Sequence, residues 1–249
     1  MATLSVRNSI GRPPLRGRVS LTAFALALAC FAPSPPARAL NPAPDGGYPN
    51  ANTAEGVGAL NSLNTNSGGG NTAMGFFALQ TLTAGSNNTA IGVQALNSNT
   101  GEFNTAIGAF ALFNNTTADF NTATGDNALL SNTTGGNNTA NGASALQNNT
   151  NGSNNTAMGS GALASLGFDG IDNTAVGSGA LFSQTSGCCS TAIGFNALFN
   201  STGGSNTAVG EAALFSNKNG VDNTATSGNV LENALYVTHF GLAAAYEKQ

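Results

Sequence analysis

Residues 88–96 read NTAIGVQAL, and variants of this nine-residue phrase occur eleven times between Asn52 and Glu232. Successive copies start sixteen to nineteen residues apart, most often seventeen. A short fixed period is typical of a repeat architecture, in which each unit packs only against its neighbours. The units, numbered coils 1 to 11, open at Asn52, Asn71, Asn88, Asn104, Asn121, Asn138, Asn155, Asn173, Ser190, Asn206 and Asn223.

Some positions of the phrase hardly vary from copy to copy. Thr is second, Ala is third and Leu is ninth in every copy, while the fifth position is Gly until Ser227 and the eighth is Ala until Val230. The fourth position is mostly Ile, Met or Val but includes polar residues such as Asn141. Asn, Gly, Ser and Thr fill the segments between phrases, as in SNTTGGN at 131–137. These residues favour turns, because Gly accepts a positive φ and the others bond to their own backbone.

A unit of about seventeen residues is too short for a pair of helices, which takes about 34 residues in a common helical repeat. The apolar residues also lack helical spacing. The repeat predicts an all-β fold, a parallel β-solenoid of about eleven coils of seventeen residues. We expect two short strands per coil, one around Thr-Ala-x-Gly and one around Ala-Leu. Stacked at roughly 4.8 Å per coil, eleven coils extend about 50 Å.

The interior of such a solenoid is predicted to be thin. The Leu column supplies most of the buried area, and the small Ala and Gly let the layers approach closely. Backbone ladders and stacked Asn or Thr side chains are therefore expected to carry much of the stability.

Composition narrows the class of protein. Only 7% of the residues are charged, and the chain holds 33 Gly and 35 Asn. Such a composition also fits disorder, but apolar columns that stay in register favour a folded repeat. All eleven Asp and Glu lie beyond Arg38, where the basic residues are Lys218 and Lys248. An acidic array predicts no nucleic-acid partner.

Residues 1–39 have the pattern of a signal peptide, which predicts a secreted or cell-surface protein. Arginines precede the apolar run LTAFALALACFA at 21–32, and Ala37-Arg38-Ala39 is an A-x-A cleavage site. The run is too short to span a membrane, so no transmembrane segment is expected in the mature chain. A lipoprotein signal at Cys30 and an organelle transit peptide are the alternatives. Residues 40–51 are predicted to be a flexible lead-in, 52–232 the repeat solenoid, and 233–249 a tail or cap.

Residues able to do chemistry are few, and the sequence predicts no enzyme, no cofactor and no metal site. The lone histidine, His239, lies beyond the repeats, and acids such as Asp169 and Asp172 stand singly in turns without a calcium-repeat motif. Cys188 and Cys189 are adjacent in one turn. They are either small turn residues of one divergent copy, or a pair that forms a strained vicinal disulfide or cross-links chains.

The phrases NTAIGVQAL at 88–96, NTAIGAFAL at 104–112 and STAIGFNAL at 190–198 resemble the head repeats of bacterial trimeric autotransporter adhesins, of the YadA-like or Hep/Hag type. The resemblance covers about residues 52–232. It implies a left-handed parallel β-roll, a homotrimer, a bacterial source and adhesion to a host or matrix surface.

Which side of the strand faces outward decides what the solenoid displays. The second and fourth positions share one side, and the third and fifth share the other. If the Thr side faces outward, a Thr column beside an Ile/Met/Val column forms a regular exposed stripe, which is expected to bind a partner. The sequence then predicts an adhesive or structural surface protein, or alternatively an ice-binding solenoid, although the uneven fourth column and the variable copy length argue against ice. The candidate binding face is Thr72, Thr89, Thr105, Thr122, Thr139, Thr156, Thr174, Thr191 and Thr207.

Overall fold

The protein is a parallel β-solenoid, as predicted. A computed structural model describes residues 49–63 and 68–229, in which eleven strands form one sheet in chain order from β1 to β11. A single 3-10 turn, Pro49–Ala51, precedes the first strand. The strands are β1 (Thr53–Glu55), β2 (Thr72–Met74), β3 (Thr89–Ile91), β4 (Thr105–Ile107), β5 (Thr122–Thr124), β6 (Thr139–Asn141), β7 (Thr156–Met158), β8 (Thr174–Val176), β9 (Thr191–Ile193), β10 (Thr207–Val209) and β11 (Thr224–Ala225).

Neighbouring strands pair in one register along the whole sheet. Thr stands beside Thr and Ala beside Ala, whether the copies start nineteen residues apart, as for Thr53 and Thr72, or sixteen apart, as for Thr89 and Thr105. The turns therefore absorb every difference in copy length. Changes of length are tolerated there because a turn, unlike a strand, has no fixed register to keep.

The alanine side of each strand faces the interior. In β3, Ala90 is fully buried while Thr89 is half-buried and Ile91 is exposed, and the alanine is buried in all of the other ten strands too. The Ala and Leu of the eighth and ninth positions are buried as well, for example Ala95 and Leu96. The prediction that the Leu column fills the interior is confirmed. The Thr side is the outer side, which the sequence left open.

The second strand predicted for each coil, around Ala-Leu, is wrong. This segment forms turns, in which Leu96 has φ 50° and Gln94 has φ 54°. The physical reason is that Ala95 and Leu96 are consecutive and both buried, whereas consecutive residues of a strand point to opposite sides. Left-handed backbone at the seventh and ninth positions turns both side chains inward. The coils still bond to each other here, since the Leu79 N–H donates to the Ala95 carbonyl at 3.0 Å.

Glycine at the fifth position ends each strand and lets the coils stack. Gly92 has φ +140°, and a β-carbon on it would lie 2.4 Å from the carbonyl oxygen of Gly108 in the next coil. Any side chain would therefore clash with backbone as well as strain the dihedral. This double constraint explains why Gly persists at this position through ten successive coils.

Asparagine at the first position forms a buried ladder, which confirms the predicted stacking of Asn. Asn88 is fully buried. Its backbone N–H and its side-chain Nδ2 donate to the Oδ1 of Asn71 at 2.9 and 3.1 Å, and Nδ2 also donates to the Gly101 carbonyl at 2.9 Å. Each amide thus links two coils and holds the turn that closes its own coil. Buried amides bonded in this way avoid the desolvation penalty of unpaired polar groups.

A second buried column stands eleven residues after the first. Asn99, Asn115, Asn132 and Asn149 are linked in order, each Nδ2 donating to the Oδ1 of the preceding coil at 2.7 to 2.9 Å. The Gly135 carbonyl accepts from both Asn121 and Asn132 at 2.9 Å, so the two columns share one acceptor. Coil 7 breaks the second column, because Leu166 replaces the asparagine. The Oδ1 of Asn149 then has no hydrogen-bond partner.

The predicted signal peptide (1–39), most of the lead-in (40–51) and the C-terminal segment (233–249), with Cys30 and His239, lie outside the described residues. Within residues 49–63 and 68–229, no helix is both long enough and apolar enough to cross a membrane.

Candidate binding face

The outer side of the eleven-stranded sheet is a regular surface of the described chain. We call it the display face: the second and fourth positions of β1 to β10, which run side by side along the sheet. All nine threonines predicted as a binding face belong to it. They stand at the second position of β2 to β10, in one unbroken column.

The threonine column is accessible at every coil. Thr122 and Thr139 are exposed, and the other seven of the nine are half-buried. Their one-to-one pairing places neighbouring Thr side chains at the spacing of adjacent strands, about 4.8 Å. The column therefore offers one methyl and one hydroxyl per coil at a constant repeat.

The fourth column exposes apolar side chains beside the threonines. Met74, Ile91, Ile107, Met158, Ile193 and Val209 each expose 37 to 45% of their surface. Just beyond the strand-ending glycines, Phe76 and Phe195 of the sixth position are also exposed. Isolated exposed apolar residues are ordinary on a protein surface, but apolar residues that recur at the same position of successive strands are typical of an interaction site.

Charge is nearly absent from the display face. Glu55 is its one ionisable residue, although the described chain as a whole is acidic, with Lys218 as its one Lys or Arg. Asp126 and Glu211 lie at the sixth position, outside the face. The face can therefore approach a partner without the repulsion that an acidic surface imposes on another acidic surface.

Unequal copy length does not disturb the spacing of the face. The sequence suggested that copies of sixteen to nineteen residues would break a regular lattice, and the structure corrects this expectation. The pairs Thr53 with Thr72 and Thr156 with Thr174 keep the same register as the rest. Irregularity on the face comes instead from the fourth column, which includes the polar residues Thr124 and Asn141.

The cysteine pair lies in a turn away from the display face. Cys188 is half-buried, Cys189 is exposed, and both thiols are free. A side-chain hydrogen bond with Cys188 and the nearby Asp172 carboxylate both raise the pKa of the Cys189 thiol. A raised pKa lowers the thiolate fraction at neutral pH, which makes this sulfur a poorer nucleophile.

Metal ligands are dispersed along the described part of the chain. No group of three or more His, Cys, Asp or Glu side chains there is close enough to hold a metal ion. Asp169 and Asp172 are exposed turn residues of coil 7.

Two features of the surface and interior were anticipated only in part. The fourth column is half of the display face, whereas the sequence placed it beside the threonines only for the case in which they face outward, and the candidate face named the threonines alone. Its variability was the available signal, because an interior position between tightly stacked coils cannot alternate among Glu, Met and Asn. Stacked asparagines were predicted, but not their burial at the first position, for which their near-invariance, with Ser190 as the one exception, was the signal.

Comparisons of the chain with protein-family models, with curated proteins and with solved structures found no match. The resemblance to adhesin head repeats therefore depends on the phrases quoted from the sequence.

Proposed function

We propose that this chain is a secreted or cell-surface structural repeat protein that adheres to other surfaces through its display face. One observation carries the proposal: the in-register, accessible and almost uncharged double column from β1 to β10, with Thr at every second position and mostly Ile, Met or Val at the fourth. The leader pattern supports export, and the resemblance to adhesin heads supports adhesion and a bacterial source.

Repetition determines how such a face binds. Each coil offers a small contact of one Thr and one fourth-position side chain, which is Ile, Met or Val in seven of the ten coils and by itself is weak. Ten coils on one rigid sheet engage a partner together, so the effective concentration of each further contact is high. Affinity is then expected to depend on the number of coils and not on any single residue.

The test compares the full chain with variants that lack whole coils. Deletion of 121–137 removes one coil, and deletion of 121–154 removes two, with the remaining register intact. Binding to whole cells and to immobilised extracellular-matrix proteins is expected to fall progressively with each coil removed. Equal binding by all three proteins, or complete loss of binding on changing one residue such as Thr105 to Ala, would point to a discrete site and against multivalent adhesion.

Ice is the second candidate ligand, because the threonine column keeps a constant spacing. Regular Thr columns on a β-solenoid match the design used by ice-binding proteins. Recrystallisation of ice in a frozen sucrose solution distinguishes the two functions. Inhibition by the full chain, lost when Thr105, Thr122 and Thr139 are changed together to Lys, would support ice binding over adhesion.

A further inference from the structure

The polar and apolar residues of the fourth column follow a symmetric order. Apolar side chains occupy coils 2 to 4, from Met74 to Ile107, and again coils 7 to 10, from Met158 to Val209. Between them stand the polar pair Thr124 and Asn141, in coils 5 and 6. Reversing the order of coils 1 to 10 therefore leaves this pattern almost unchanged.

We propose that the partner of the display face is a second copy of this chain, packed face to face and antiparallel. The proposal rests on the proposed use of this face for adhesion and names its partner. The two-fold axis runs along the strand direction between β5 and β6. Such an axis reverses the order of the coils but keeps the column order, so that fourth position meets fourth position in an isologous interface.

Each pairing that this axis creates is chemically matched. Ile107 of one copy lies opposite Met158 of the other, Ile91 opposite Val176, and Met74 opposite Ile193. At the centre, Thr124 meets Asn141 twice, and a hydroxyl and an amide can hydrogen-bond across the interface. A polar pair inside an apolar interface fixes the register, because any shift leaves its groups unpaired against apolar side chains.

The area of the face reaches the minimum for a specific dimer. Ten strands at about 4.8 Å give a length of roughly 48 Å, and the three residues from the second to the fourth position at about 3.3 Å give a width of roughly 10 Å. Two copies would then bury on the order of 1,000 Å² in total, which is close to the smallest area expected of a specific interface.

Charge also favours this pairing over contacts between other surfaces of the two acidic chains. Glu55 is the one acid of the face, and the antiparallel axis places it opposite Val209, at the rim where water can still reach it. Surfaces outside the face bear acids such as Glu102, Asp119 and Asp126, which would repel their counterparts.

An antiparallel pair gives a direct mechanism for adhesion. The two chains run in opposite directions, so copies carried on two opposed surfaces can pair across the gap between them. Adhesion through the display face is then homophilic, one surface bearing this protein joining another surface that bears it.

Thiol cross-linking tests the geometry in the full chain, with Cys30, Cys188 and Cys189 changed to Ser. Two sheets packed face to face lie about 10 Å apart, beyond the reach of a direct disulfide, so Ile107→Cys together with Met158→Cys is expected to give a covalent dimer with a short bis-maleimide that spans this gap. Within one chain these positions are three strands, roughly 14 Å, apart on the same face, and a link inside one chain would leave the mass on a denaturing gel at that of a single copy. The matched control is Ile107→Cys alone, which the antiparallel axis leaves uncross-linked.

Several outcomes overturn the geometry. Cross-linking by the single Ile107→Cys variant would show that like coils face each other. A trimer or a monomer by light scattering of the unmodified chain would also refute the dimer. If the protein is monomeric and still binds cells or matrix, the antiparallel dimer is refuted and the adhesive function stands. If the antiparallel dimer forms but nothing adheres, the dimer stands and the adhesive function falls.

Introducing negative charge into the display face tests the function of the antiparallel dimer. Ile107→Glu with Met158→Glu is expected to halve the mass in solution and to abolish clumping of beads coated with the protein. Phe168→Glu is the matched control, because Phe168 is 67% exposed in a turn outside the display face. It should change neither the mass nor the clumping. Beads that clump equally with both variants would refute homophilic adhesion.

Discussion

Coils 3 to 6 and coils 7 to 9 share the same backbone but differ in what fills the interior. In coils 3 to 6, both buried columns are asparagine, and each second-column amide from Asn115 to Asn149 donates to the coil before it. In coils 7 to 9, the second column is Leu166, Gln184 and Ser201, and Ser190 interrupts the first. The Oε1 of buried Gln184, like the Oδ1 of Asn149, has no hydrogen-bond partner.

The apolar interior does not differ between these two regions. Leu129 in the first and Leu163 in the second are both fully buried, as are the alanines beside them. Outside the interior, the second region begins an aromatic column, in which Phe182, Phe199 and Phe215 stack at 5.0 and 5.4 Å between ring centroids. The comparison teaches that the Leu and Ala columns are kept in both regions, whereas the second asparagine column is replaced by residues of different chemistry without a change of backbone.

The largest effect is expected where the two regions are alike. Leu129→Asp and Leu163→Asp each bury an unpaired charge in the Leu column, and each should destabilise the fold by at least about 4 kcal/mol. Denaturant midpoints measure the loss, and Thr122→Asp on the display face is the control. If one leucine tolerates Asp and the other does not, the column is not equivalent in the two regions.

A smaller effect is expected where the two regions differ. Asn132→Leu removes an amide that donates to Asn115 and Gly135 and accepts from Asn149, so it should cost about 2 to 3 kcal/mol. Gln184→Met is also nearly isosteric, but it removes an oxygen that already lacks a partner and only one long hydrogen bond, from Nε2 to the Oδ1 of Asn173 at 3.4 Å, an acceptor that keeps the Ser190 N–H. It should be close to neutral in urea unfolding. Equal costs for the two variants would contradict the contrast between the regions.

Restoring the first column is expected to stabilise coil 9. In Ser190→Asn, the new Oδ1 can accept from the Asn206 backbone N–H, which now reaches the Ser190 hydroxyl at 3.3 Å. The new Nδ2 can donate to Asn173, as Asn88 does to Asn71 in coil 3. A gain of about 1 kcal/mol should appear as a higher urea midpoint with an unchanged slope. A loss of stability would mean that coil 9 has no room for the amide.

The smallest net effect is expected at the end of the second column. Leu166→Asn supplies the missing donor for Asn149, worth about 1 to 3 kcal/mol, but gives up about 1.5 to 3 kcal/mol of leucine burial. The two terms should nearly cancel. Leu166→Ala, which loses the burial without gaining the donor, is the comparison and should be clearly less stable. Equal destabilisation by both variants would show that the amide does not complete the column.

The repeat made the fold predictable, because a period near seventeen with an invariant Leu leaves few other architectures. The Leu interior, the parallel stacking and the coil-to-coil asparagine bonds were all predicted and are confirmed. The second strand was wrong because Ala95 and Leu96 both face inward, which extended backbone forbids. Period-two reasoning assumes an extended chain, so it does not detect left-handed backbone at a leucine.

The candidate site was predictable only in part. The nine threonines were named correctly as one column, but whether that column faced outward depended on which side of the strand packs. The fourth column held the answer: Glu55 at this position has no buried partner to offset its charge, so the position belongs outside. The ligand remains a proposal, because a repeated face identifies where a partner binds more readily than what the partner is.

In both buried columns, the hydrogen bonds that the asparagine Oδ1 atoms accept from the asparagine of the neighbouring coil all point the same way along the chain. The Oδ1 of Asn121 accepts from the backbone and side chain of Asn138, which comes later in the sequence. A folded coil therefore presents an acceptor that only the following coil can fill, much as the growing end of a crystal presents a site for the next molecule. Because synthesis runs from the N-terminus to the C-terminus, each new coil finds the acceptor of the preceding coil already in place. Because successive coils are joined by the same hydrogen bonds, a recombination event that duplicates or deletes one unit creates only junctions of the existing type.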